Sequence, residues 1–170
     1  FQSIFESSRF ELLWDFVNSF EKSTVENNKF LLYYMCLLSK YYKGNLNDAL
    51  VFIDNAIAKA KDDDSDRDFL ISCLITKSEI LINQGAGKIG SAMEILKELE
   101  NNNASDTAKA RIYYFLGNCC FNISKYKESL EYLEKALKIC KDMELTGLEP
   151  DIYNLLGNIN ILKGEFVLSN

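Results

Sequence analysis

The stretch with the strongest claim to chemistry is Gln84-Gly-Ala-Gly-Lys-Ile-Gly-Ser91, where Gly85, Gly87 and Gly90 fit the pattern G-x-G-x-x-G. Such glycines bring backbone N–H groups and a helix N-terminus close to a pyrophosphate. The pattern works only behind a strand and inside a parallel sheet. Residues 68–83 are too long for that strand and carry apolar residues at helical spacing, and no second strand is legible. The glycines are therefore read as a bend between two helices, with Gly87 taking the tight or left-handed backbone.

The acidic run at 61–68 places Asp62, Asp64 and Asp66 as a calcium loop would, but Arg67 stands where that loop needs Gly and Cys73 where it needs a bidentate Glu. It is read as a solvated linker, as is Asn101-Asn-Asn103. Cys36, Cys73, Cys119, Cys120 and Cys140 are odd in number and form no C-x-x-C pair, so buried reduced thiols are expected rather than a zinc site or a disulfide framework. That points to a reducing, cytoplasmic setting. The sequence contains no His, which removes Ser-His and Cys-His catalysis and most transition-metal sites from this segment. No catalytic residue, metal-ligand set or cofactor is assigned, and a non-enzymatic role is expected.

A net charge of −6 argues against holding nucleic acid by its phosphates. No uncharged apolar run is long enough for a membrane span, and no signal peptide is legible. With 48% hydrophobic residues, one Pro and few Gly in 170 residues, long helices are favoured over a strand-and-turn fold. The start at Phe1 and a repeating unit that stops partway predict a fragment of a larger protein.

The elements that carry these residues repeat. Lys43-Gly-Asn-Leu-Asn-Asp-Ala-Leu50 aligns with Ala86–Met93, Ile123–Leu130 and Lys163–Asn170, and more weakly with Ser7–Trp14. The seventh positions, Leu13, Ala49, Ala92, Ser129 and Ser169, are spaced by 36, 43, 37 and 40 residues. A repeat of that length means one supersecondary unit stacked on copies of itself. Around each loop the apolar residues keep a helical period: Ile112, Tyr113, Leu116, Cys120 and Ile123 before, and Leu130, Leu133, Ala136, Leu137 and Cys140 after. Ser91 with Glu94, and Ser65 with Asp68, match capping boxes, and Pro150 suits the first turn of a helix. The unit is helix A, short turn, helix B, linker.

These residues resemble the tetratricopeptide repeat. Residues 110–143 offer Tyr113, Leu116-Gly117, Tyr126, Ser129, Leu133 and Ala136; residues 150–170 offer Tyr153, Leu156-Gly157, Phe166 and Ser169. Residues 30–63 keep Tyr33, Leu46, Ala49, Ile53 and Ala56, with Leu37 in place of the small residue, and 73–106 keep Ile89, Ala92, Leu96 and Leu99. Residues 1–22 look like helix B of an earlier copy. The resemblance implies an all-α fold, a single domain over 1–170 of about four to five antiparallel helix pairs stacked as a right-handed superhelix, with local distortion where copies are long.

The resemblance further implies a protein- or peptide-binding module whose A helices line a concave groove. The residues matching groove positions are Tyr34, Leu38, Tyr41 and Tyr42; then Lys77, Leu81 and Gln84; then Arg111, Tyr114, Asn118, Phe121 and Asn122; and last Asn154 and Asn158. The Asn residues, poor helix formers with both a donor and an acceptor, suit reading a peptide backbone. The Tyr residues at 33, 34, 41 and 42 divide between core and a stacking wall. Lys and Asn in the register of a carboxylate clamp occur together in no copy; the nearest fragments are Lys77 and Arg111 with Asn118. The long repeats and Asn-bearing grooves are also similar to peptide-sensing regulators of low-GC Gram-positive bacteria, which makes a ligand-sensing domain the first expectation. A scaffold or assembly subunit binding a protein partner is the alternative, and homo-oligomerisation is left open.

Overall fold

The computed structural model describes residues 10–61 and 66–168. Among them are α1 (Phe10–Asn18), α2 (Lys22–Asn27), α3 (Lys29–Tyr41), α4 (Leu46–Lys61), α5 (Arg67–Asn83), α6 (Ile89–Glu100), α7 (Asp106–Asn122), α8 (Tyr126–Asp142) and α9 (Glu149–Leu168), and no strand. The all-α expectation holds, and neighbouring helices pack as pairs, α3 with α4 and α7 with α8 most extensively. Turns of a few residues oblige these neighbours to run antiparallel. The chain divides into two compact units at Asn83/Gln84, α1–α5 in one and α6–α9 in the other. The two helices expected to form the copy at 73–106 belong to different units.

In the first unit α3, α4 and α5 enclose Leu32, Cys36, Ala49, Ile53, Ala56 and Cys73. Asn28 starts α3 by accepting from the N–H groups of Phe30 and Leu31 at 3.0 and 3.1 Å. Lys29, beside it, forms an ion pair with Asp66. α1 lays Leu13 and Val17 against Met35 and Leu38. In the second unit α7, α8 and α9 enclose Ala110, Leu133, Ala136, Cys140, Ile152 and Ile159. The five thiols are free and buried.

Three turn assignments change. Gly44 takes the left-handed backbone (φ +64°) and Ser124 does the same in the turn between α7 and α8 (φ +61°), but in the glycine-rich stretch the left-handed residue is Gly85 (φ +105°), not Gly87. Gly87 lies within a 3-10 turn, Ala86–Lys88, that runs straight into α6. Consequently α6 begins at Ile89 without a side-chain cap, and Ser91 with Glu94 does not start it. Buried Ile89 pins that first turn instead. Ser65, of the other capping pair, and Asp62 and Asp64 lie outside the described residues, whereas Pro150 sits in the first turn of α9 as expected. Lastly, Gly164 does not turn: α9 runs on to Leu168. The turns at Gly44 and Ser124 are each followed by a helix packed back on its predecessor; among the described residues nothing packs on α9 at Gly157.

Candidate functional site

The repeat geometry is most complete in α7 and α8. A Cβ placed on Gly117 would lie 2.9 Å from Leu133 Cγ and 3.3 Å from the Ser129 carbonyl oxygen, so only glycine fits without displacement. Ser129 Oγ donates to the Gly117 carbonyl at 2.7 Å in a fully buried bond. Tyr113 stacks on Tyr132 with centroids 6.2 Å apart, and Lys135 Nζ covers both rings at 5.3 and 5.1 Å. One side of α7 is committed to α8; of the expected groove residues Arg111, Tyr114, Asn118 and Phe121 are half-buried and Asn122 is exposed. Tyr114 meets Phe115 edge to face, and Phe121 tilts against Tyr126. Asn122 Nδ2 donates to Asn118 Oδ1 at 2.6 Å and to the Asn118 carbonyl at 2.9 Å. That pairing holds both amides on one face. On α9, which touches α7, Asn154 and Asn158 are exposed one helical turn apart.

The first unit treats its candidates differently. Leu38 is fully buried because α1 packs on that side of α3, so it is core and not groove. Leu81 is 7% exposed and likewise offers almost no surface. α5 buries residues on every side, from Ile71 through Thr76 to Ile82, which leaves little of it for a ligand. The expected tyrosine wall is divided. Tyr33 packs into the core with its hydroxyl 3.3 Å from Thr76 Oγ1, and Tyr34 leans on it edge to face. Tyr42 turns to α1, stacking near Phe10 and Trp14 with Lys43 Nζ 4.4 Å above its ring. Tyr41 remains exposed. Lys77 Nζ is held by Asp54 at 2.7 Å, so its charge is already matched within the unit. Gln84, half-buried, begins the second unit.

Sequence reasoning missed Lys40 and Glu79. Lys40, with its side chain 4% exposed, forms an ion pair with Glu79 and donates to Tyr41 Oη at 2.8 Å; Tyr41 Oη donates to Glu79 at 3.2 Å. The network ties α3 to α5. The available signal was a Lys inside a run of apolar helical positions.

The thiols are built for packing. Burial pushes Cys36, Cys73 and Cys119 up to about 12, and raises Cys120 and Cys140 as well. A thiol held protonated is a poor nucleophile and a poor metal ligand. Among the described residues no cluster of three or more His, Cys, Asp or Glu is arranged to hold a metal ion. No described helix is long and apolar enough to cross a membrane.

In a sequence search no curated protein matches the chain. The family model of the tetratricopeptide repeat matches residues 110–143. These are the residues of the α7–α8 pair, where Gly117 meets Leu133 and Ser129 as the repeat requires. Residues 110–143 therefore carry a tetratricopeptide repeat.

Proposed function

We propose that the chain is a non-enzymatic peptide-binding domain whose reading surface is the outward face of α7 together with the Asn face of α9. A tetratricopeptide repeat is a protein-interaction module, and the finer assignment rests on the Asn118–Asn122 pair. Asn122 donates to Asn118; the remaining donor on Asn118 and acceptor on Asn122 make no hydrogen bond among the described residues. A peptide group carries one acceptor and one donor, and the pair offers the complement. Arg111, Tyr114 and Phe121 flank it, and Asn154 and Asn158 repeat the chemistry on the neighbouring helix. This reading is compatible with a ligand-sensing role in a regulator.

The test is selection of peptides on the intact chain from a random display library, followed by titration against variants. Asn118→Ala and Asn158→Ala should each weaken a selected peptide by about 1–3 kcal/mol, the cost of stranding partners at the interface. Melting temperature should barely move, because Asn158 is exposed and Asn118 half-buried. Peptides that bind these variants as tightly as the native chain overturn the reading.

A further inference from the structure

The first unit carries an apolar strip and a cavity that the repeat helices do not use. Leu12 and Phe16 stand one turn apart on the outside of α1, 64% and 51% exposed, and Phe20, 37% exposed, continues the line. Phe16 and Phe20 meet edge to face with centroids 5.2 Å apart. Phe20 forms the lip of a cavity of about 450 Å³ floored by Val25, Leu32, Met35 and Phe52. One wall is α2, a six-residue helix with no buried residue. Among the described residues, the charges of α1 and α2 and of the turn between them are mostly acidic. Glu11, Asp15, Glu21 and Glu26 are exposed beside it. Lys22, the cation at the mouth, is 3.6 Å from Glu26.

We propose that this strip and cavity dock an amphipathic helix of a partner protein, apolar along one face and flanked by Lys and Arg. Three observations fix the occupant. Leu12 and Phe16 are one helical turn apart and Phe20 extends the apolar line past the end of α1, a length that an apolar helix face can lie along. The cavity falls within the range that accepts a buried aromatic or branched anchor. The carboxylates set the sign: a basic flank gains complementary contacts, and an acidic one meets like charge on approach. The site lies on α1–α4 and is independent of the peptide reading on α7 and α9.

The experiment titrates a labelled synthetic helix built from Leu and Lys, with all Leu on one face, into the full chain at low and at physiological salt. Phe16→Ser with Phe20→Ser should weaken binding about tenfold or more, as loss of central apolar anchors does. Glu11→Gln, Asp15→Asn, Glu21→Gln and Glu26→Gln combined should weaken it several-fold and flatten its salt dependence. This charge variant keeps every apolar contact, so it reads the docking even if the Phe variant folds poorly. The same helix with Glu in place of Lys should not bind. Three outcomes overturn the proposal. Binding is unchanged in both variants; or Tyr153→Ser with Ile161→Ser, on the second unit, costs as much as the Phe pair; or sedimentation shows the chain alone forming a dimer that Phe16→Ser dissolves, which gives the strip to a second copy.

Discussion

Tyr113-x-x-Leu116-Gly117 on α7 and Tyr153-x-x-Leu156-Gly157 on α9 are the same residues at the same repeat positions, and the structure gives them opposite surroundings. Gly117 sits under Leu133 and Ser129; a Cβ on Gly157 would meet nothing within 4 Å among the described residues. Tyr113 is half-buried and stacks on Tyr132 of α8, whereas Tyr153 is 49% exposed. The motif encodes a surface that fits a helix. Whether that surface becomes core depends on a helix arriving to cover it.

Substitutions that treat the two helices alike should therefore separate them. The largest difference is expected from glycine to leucine. Gly117→Leu drives a branched side chain into Leu133 and the Ser129 carbonyl, and should cost about 3 kcal/mol in chemical unfolding. Gly157→Leu should cost nothing measurable. Equal losses at both sites would break the comparison.

Next in size is an alkaline effect that α7 shows and α9 does not. Cys119, at about 12 in the folded chain against an ordinary 9.0, corresponds to Ile159 on α9. Below pH 9 the thiol is protonated in both states and costs nothing. As pH rises from 9 toward 12 the unfolded chain releases the proton and the folded chain does not. Stability should then fall by roughly 1 kcal/mol per pH unit for this thiol. Cys119→Val should remove that share of the slope, measured by denaturant titration across the alkaline range.

Ser129→Ala removes the donor to the Gly117 carbonyl and should cost about 1 kcal/mol of unfolding free energy. Gly157→Ala should instead raise stability by about 0.5–1 kcal/mol, since an exposed helical glycine spends backbone entropy without packing return. A pair of thermal melts distinguishes the signs. The smallest perturbation is chemical. Cys120 is buried and its thiol shifted up, while Asn160, its counterpart, is exposed. Asn160→Cys should react with a thiol reagent in the native state at a rate near that of a free thiol, with the native cysteines silent until the chain unfolds.

The same contrast explains what the sequence made legible. Helix-turn-helix pairing at 110–143 could be read because small residues, aromatics and the apolar period agree there, and the structure seats Gly117 against Ser129 and Leu133. The glycine-rich stretch misled on detail. Three glycines leave the left-handed position undetermined, and it fell on Gly85, so α6 starts ahead of its apparent capping box. Gly164 carried a turn signature, yet the helix continues through it to Leu168. Among the residues expected to line a groove, Asn118, Asn122, Asn154 and Asn158 lie on accessible faces of α7 and α9. Leu38 could not be placed correctly, because α1 packs sideways on α3 and no repeat register records that. Lys40 with Glu79, and the strip at Leu12, Phe16 and Phe20, were hidden because the repeat pattern assigns no role to those positions.

The bond from Ser129 to Gly117 ends on a main-chain carbonyl and not on a side chain. The alignment of α8 on α7 is thereby indexed to the backbone, which no substitution on the opposite face of α7 alters. Arg111 and Asn118 can be exchanged over generations while the frame beneath keeps its dimensions. The surface proposed to read a peptide can thus change its chemistry without the architecture having to be reinvented.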